Sequence, residues 1–366
     1  MKVISIGAYK GSTNSYRAQF KLLIGLKKRG VDITVMSHFS NEILNYFQKA
    51  NVPVIEDYPA TKVDLEYVKR VRKIIVENNY NIVHVYSGII TRNVVIATKG
   101  LPVKVIAYMG SVSLHWHDPS AYLTYLSSRN DKIICNSNYV FEHVRKQLFG
   151  KRKQKAVRIY KGYSPDWFST VEAYDYKSIG INKNAIIVCM AATYLKVKGV
   201  QFFIESSYYL ETTKEVHYVL LGGNCDNKEI LNLVEKSPIK NNIHVLGHRE
   251  DVISLIKGAD IYAQTSLKEG FGRAISEAMC VGKPIIMTNA GGCTELIDEK
   301  SGIIVPVKNS KAIGGAISKL VEDNGLRSDM GIAAKERIET VYNIDKTIKE
   351  TNDLYDSLML DLNQTT

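Results

Sequence analysis

EGFGRAISEAMCVGKPIIMTNAGGCTELI, residues 269–297, joins two periodicities in one stretch. Ala274, Ile275, Ala278 and Met279 recur at helical spacing, Val281-Gly282-Lys283-Pro284 stops that helix, and the apolar run 284–287 reads as a strand. A helix that starts on Gly270-Phe271-Gly272 and runs into a buried strand belongs to a parallel α/β sheet. Its first turn leaves backbone N–H groups unpaired at the positive end of the helix dipole, and the glycines let a phosphate come close. A carboxylate would repel that phosphate, so Glu269 and Glu277 call for another partner. Sugar hydroxyls fit, because a carboxylate accepts two charge-assisted bonds from a vicinal diol. Glu277 lies about 12 Å along the helix from Glu269 and about 80° around it. The two glutamates therefore suit opposite ends of a sugar-diphosphate ligand.

Working outward, short β-rich runs alternate with helical stretches on both sides of this block. Strands are expected near residues 3–6, 33–36, 82–86, 103–108, 132–136 and 157–160, then near 186–190, 218–221, 244–246, 261–263, 284–287 and 303–305. The fold class is α/β: two Rossmann-like, doubly wound parallel-sheet domains whose strand ends face a cleft. The expected divisions are a first domain over 1–163, a turn-rich linker over 164–184, a second domain over 185–342 and a helical tail over 343–366. That tail either packs on the second domain or crosses back to the first.

The 366 residues, 45% of them hydrophobic, are enough for two cores. The five cysteines have neither metal-ligand nor disulfide-framework spacing, which points to a reducing, cytoplasmic setting. The opening MKVISIGAYKG reads as a first strand rather than a signal peptide, and no apolar run is long enough to span a bilayer. Charge is divided unevenly: residues 1–165 hold 26 Lys and Arg against 10 Asp and Glu, whereas the remainder is net −5. One basic cluster comprises Arg145, Lys146, Lys151, Arg152, Lys153, Lys155, Arg158 and Lys161. Another lies on the first helix, where Arg17, Lys21, Lys27, Lys28 and Arg29 flank Phe20, Leu22, Leu23 and Leu26. That helix is either a basic amphipathic helix on an anionic membrane surface or a core helix with a solvated face. Nucleic acid is disfavoured as a partner, because the basic residues lack interleaved stacking aromatics and the acidic second half would repel a phosphate backbone.

LGHREDVISLIKGADIYAQTSLKEGFGRAISEAMCVGKPIIMTNAGGCTELI resembles the signature block of retaining GT-B glycosyltransferases, family 4 (group 1) type. KKRGVDITVMS, DKIICNSNYV, RIYKGYSPDWF and AATYLKVKGVQFFIESSYYL resemble further segments of that family, so the likeness covers nearly the whole chain. It implies transfer of a sugar from a nucleotide-diphosphate donor to the hydroxyl of a glycan or lipid-linked acceptor in cell-surface polysaccharide, lipopolysaccharide or glycolipid assembly. Glu269 matches the glutamate that contacts donor-sugar hydroxyls, and Glu277 the one that binds the ribose. Gly270, Phe271, Gly272 and Arg273 would hold the diphosphate by their backbone. Lys198 matches a countercharge for the leaving diphosphate. Gly247, His248 and Arg249 fall where the family holds the base, and Gly11 and Ser12 match the loop facing phosphates and acceptor.

The chain departs from the family at two places. Thr193 stands where many members have Arg, with Lys196 as a candidate substitute; Met109-Gly110 stands where many have His-Gly, with His115 or His117 as candidates from the next loop. These departures leave a second reading, a catalytically silent nucleotide-sugar or glycan-binding protein of the same fold. No Asp-x-Asp pair occurs, so no metal or other cofactor is expected and backbone dipoles with lysine would serve the diphosphate. Peripheral contact with the inner face of the plasma membrane is expected from the basic first half.

Overall fold

The computed structural model describes residues 1–11 and 13–363; Ser12 of the glycine loop lies outside the described residues. The chain divides into two units, one made of residues 1–162 with 344–366 and the other of residues 163–343.

The first unit holds a parallel sheet of β1 (Lys2–Ile6), β2 (Asp32–Ser37), β3 (Val54–Glu56), β4 (Ile82–Val85), β5 (Lys104–Met109), β6 (Lys132–Cys135) and β7 (Ala156–Arg158), in the order β3-β2-β1-β4-β5-β6-β7. Strand β3 escapes the sequence pattern because it is a three-residue edge strand directly after Pro53, too short to show a period. In the helix Thr13–Lys28 the apolar residues Phe20, Leu22, Leu23 and Leu26 are buried. The apolar face of this helix is therefore part of the core, with Lys21 and Lys27 half-buried and Lys28 exposed. The helix Ile344–Asn363 packs on it, and a side chain at Gly25 would strike Ile348 at 2.2 Å. Thr347 donates to the Tyr160 carbonyl (2.8 Å), and the Tyr355 hydroxyl lies 2.7 Å from His84 Nδ1.

The second unit holds β8 (Ile186–Ala191), β9 (Val216–Leu221), β10 (Ile243–Gly247), β11 (Ile261–Gln264), β12 (Ile285–Thr288) and β13 (Gly302–Val305), in the order β10-β9-β8-β11-β12-β13. Residues 164–184, expected as a linker, belong to this unit. The Tyr176 hydroxyl donates to the Leu255 carbonyl (2.8 Å) and Lys257 Nζ to the Val171 carbonyl (2.7 Å). The segment hid this because Phe168, Tyr176 and Ile181 are buried one at a time, with no period between them.

Every paired strand in both sheets runs parallel. Each sheet therefore gathers its strand-exit loops on one edge, and the strand order reverses between β1 and β4 and between β8 and β11. Ligands of such sheets bind at that reversal. Among the described residues no helix is long and apolar enough to cross a membrane.

Candidate active site

The reversal in the second sheet sets two loops side by side: residues 192–199 after β8 and residues 265–272 after β11. They are clipped together by backbone. Leu267 N–H donates to the Val197 carbonyl (2.7 Å), and the Thr265 hydroxyl donates to the Gly199 carbonyl (2.8 Å). Gly199 has φ +64°, and a Cβ there would lie 2.0 Å from the Thr265 carbonyl oxygen, so only glycine permits this contact. The clip delivers Lys198 to Glu269: Nζ lies 2.6 Å from Oε2, with the two side chains 28% and 17% exposed.

Glu269 is also fixed by its own backbone. Its N–H donates to the Ala290 carbonyl (2.7 Å), and its carbonyl accepts from Gly292 N–H (3.0 Å). Between those partners Gly291 has φ 106° and ψ −130°, a conformation closed to L side chains. The Asn289-to-Gly292 turn after β12 is thus the second wall of the site. Its Gly-Gly pair was visible in the sequence, but its task of holding Glu269 was not. Thr265 gave no sequence signal at all.

Gly272, at φ +95°, opens the helix Arg273–Cys280, and no side chain caps that start. Its first N–H groups and dipole are therefore available to an anion. The Phe271 ring does not face this opening. It is buried against Tyr342, with ring centroids 5.6 Å apart, and the Tyr342 hydroxyl donates to the Glu295 carbonyl. Phe271 thus anchors the turn while its backbone presents the loop. Glu277 is buried on the same helix, and Arg273 Nε stands 3.9 Å from its Oε1.

Gly247, at φ +63°, ends β10 and accepts from Gly222 N–H (2.7 Å), which joins the exits of β9 and β10. Arg249 is engaged as a fork on Asp251 at 2.7 and 2.6 Å and lies over the Tyr174 ring. His248 follows Gly247 on the same loop. Lys196 is exposed in the loop after β8, three residues beyond Thr193.

In the first unit Gly11 lies in the loop after β1, where its carbonyl accepts from the Ser40 hydroxyl (3.2 Å). His115 and His117 are exposed in the loop after β5 and stack on each other with centroids 5.3 Å apart. Met109 is buried in a core cluster with Val112 and Leu114. Among the described residues no group of three or more His, Cys, Asp or Glu is placed to hold a metal, and all five cysteines are buried and unpaired.

A cation–carboxylate pair beside an uncapped helix start, both at a sheet reversal, has the chemistry to meet a phosphate and hydroxyl groups. Residues 173–337 match the family "Glycosyl transferases group 1" and residues 20–167 match "Glycosyltransferase Family 4". The chain belongs to this glycosyltransferase family. It is 33% identical over 174 residues to an N,N'-diacetylbacillosaminyl-diphospho-undecaprenol alpha-1,3-N-acetylgalactosaminyltransferase of Campylobacter jejuni, covering 47% of this chain and 44% of that one. It is 24% identical over 309 residues to a UDP-Gal:alpha-D-GlcNAc-diphosphoundecaprenol alpha-1,3-galactosyltransferase of Escherichia coli, covering 80% and 79%. The chain spans about half the length of the first curated relatives it matches, 44–49%. The structure of Anabaena HepE in complex with UDP-glucose aligns at a TM-score of 0.80 and 18% identity over 98% of this chain and 100% of that one. A glycosyltransferase of Rickettsia africae aligns at 0.84 and 20% identity, with 98% of each chain covered. The fold is GT-B.

Proposed function

We propose that this chain is a retaining, metal-independent glycosyltransferase that moves a sugar from a nucleotide-diphosphate sugar to an acceptor hydroxyl. The acceptor is a glycan or lipid-linked sugar in cell-surface polysaccharide, lipopolysaccharide or glycolipid assembly. The observation that carries this reading is the Lys198–Glu269 pair, 2.6 Å apart beside the uncapped Gly272 helix start. Glu269 accepts donor-sugar hydroxyls through its second oxygen, and Glu277 accepts the ribose diol. The backbone of residues 270–273 binds the diphosphate. Gly247 to Arg249 border the base, and Lys196 supplies the charge that Thr193 lacks.

In the reaction the anomeric carbon–oxygen bond to the diphosphate breaks. The acceptor oxygen bonds that carbon on the same face of the ring, and the acceptor's proton leaves with the diphosphate. Lys198 has three N–H donors and gives one to Glu269; another meets the negative charge that grows on the leaving group. The first unit's candidates for acceptor contacts are Gly11 and Ser12 with His115 or His117.

A lipid-linked acceptor is supported by the Campylobacter and Escherichia relatives, both named for diphospho-undecaprenol acceptors. With such an acceptor, the site of action we propose is the cytoplasmic face of an anionic membrane.

The test is thermal-shift screening against UDP, GDP, ADP and their sugars, followed by turnover of the stabilising donor in excess chelator. A ligand that binds only the folded state raises the melting temperature. We expect one nucleotide sugar to stabilise the protein and donor cleavage to continue in chelator. Stabilisation without any cleavage or transfer would favour the silent binding protein, and cleavage restored only by Mg²⁺ or Mn²⁺ would refute metal independence.

A further inference from the structure

Trp116 and Phe149 are 53% and 58% exposed, and they touch each other edge to face with ring centroids 6.2 Å apart. They come from different segments. Trp116 lies in the loop after β5 and Phe149 follows the helix Asn138–Gln147, and the two segments are tied by a 3.0 Å bond from Trp116 N–H to Gln147 Oε1. Scattered exposed apolar side chains are ordinary, whereas two large rings held together in water need a reason.

Their surroundings supply one. Lys146 precedes Phe149, and Lys151, Arg152 and Lys153 follow it on the short helix Gly150–Lys155; all four are exposed, with no acidic partner among the described residues. The neighbouring acids are already engaged, Glu142 with Arg145 at 3.3 Å and Asp118 with Ser120. Lys155 does not belong to this face, because its Nζ donates to the Ser128 and Asn130 carbonyls.

We propose that the Trp116–Phe149 pair, with Lys146, Lys151, Arg152 and Lys153, is a docking wedge for an anionic bilayer. The rings enter the headgroup layer and the cations meet lipid phosphates. Tryptophan favours the interface between headgroups and acyl chains, and basic residues are drawn to anionic leaflets. One weak signal binds a membrane only marginally, and two together hold it. A nucleic acid is a poorer fit, since the basic residues share one short turn instead of lining a track between open ring faces. The wedge carries the same loop as His115 and His117, so docking would set that loop at headgroup height. This deepens the membrane part of the proposed function and leaves the donor site untouched.

The test uses the full chain carrying Trp167→Phe, which leaves Trp116 as the sole tryptophan of the two present. With vesicles of equal parts phosphatidylglycerol and phosphatidylcholine at low salt, Trp116 emission should move to the blue and become shielded from acrylamide; phosphatidylcholine alone should do neither. The pair Trp116→Ser and Phe149→Ser, which leaves charge unchanged, should lower vesicle binding about tenfold or more. Lys151→Ser, Arg152→Ser and Lys153→Ser together should lower it roughly a hundredfold. Melting temperature and its rise with donor should stay at parental values in every variant, which separates loss of docking from failure of the donor-site reading. Vesicle binding without a Trp116 shift, undiminished binding by the ring variant, or an equal shift with soluble heparin would overturn the wedge.

Discussion

Lys198 Nζ sits 2.6 Å from Glu269 Oε2, so the cation proposed for the leaving group and the carboxylate proposed for the sugar position one another before any ligand arrives. Lys198→Ala should lower the rate of transfer by roughly 10²–10³, as for loss of one oxyanion donor. Glu269, only 17% exposed, loses its cation in the same change, so donor affinity should also shift. Full turnover at saturating donor would rule the role out and make Lys196 the candidate.

Glu277 is buried on the helix that starts at Gly272, and Gln differs from it by little in size or helix propensity. Glu277→Gln should weaken donor binding by roughly 1.5–3 kcal/mol, the range for hydrogen bonds to a charged group. Calorimetry showing parental affinity would end the ribose assignment.

Gly199 is the residue on which the clip between the two loops depends. Gly199→Ala places a methyl 2.0 Å from the Thr265 carbonyl oxygen at φ +64°, and should cost about 1–3 kcal/mol while drawing Lys198 away from Glu269. Urea denaturation and turnover should both fall. Gly315→Ala is the control: it lies in the helix Ser310–Glu322 with open space around it, and should be neutral or stabilise by up to about 1 kcal/mol.

His84 is buried, and burial lowers its pKa from 6.5 to about 3. The folded state keeps it neutral while the unfolded chain takes up a proton. Its contribution is therefore fully present above pH 6.5 and is lost as pH falls from there toward 3. At pH 5 the loss should be about 2 kcal/mol, at 1.36 kcal/mol per unit. In urea denaturation at about pH 7.5 and about pH 5, His84→Gln should show a smaller acid loss than the parent by that amount. Equal losses in the two proteins would mean that His84 is not the titrating group.

Twelve of the thirteen strands among the described residues could be read because each combines an apolar run with nearby turn residues. The donor loop was legible for a related reason: Gly270 to Gly272 interrupts the pattern between a strand and a helix. What could not be read depends on partners far along the chain. Nothing at Gly199 indicates that its neighbour is Thr265, and nothing at Glu269 indicates that Ala290 and Gly292 grip it. The Arg249 side chain was likewise readable as cationic but not as engaged, since its fork on Asp251 exists only once the turn after β10 has formed. The attachment of 164–184 to the second unit was illegible because it rests on isolated anchors such as Tyr176, whose partner carbonyl is on Leu255.

The helix Ile344–Asn363 lies on the first unit, although the 181 residues 163–343 of the second unit precede it in the chain. During synthesis the first sheet is therefore made early but covered late. Gly25 and its neighbours on the helix Thr13–Lys28 have no Ile348 to pack against, and His84 has no Tyr355 hydroxyl, until residues 344–363 have emerged. The second unit, continuous in sequence, meets no such delay. The order of completion on the ribosome is then the reverse of the order of translation, and the half-covered first sheet is the species that chaperones would meet.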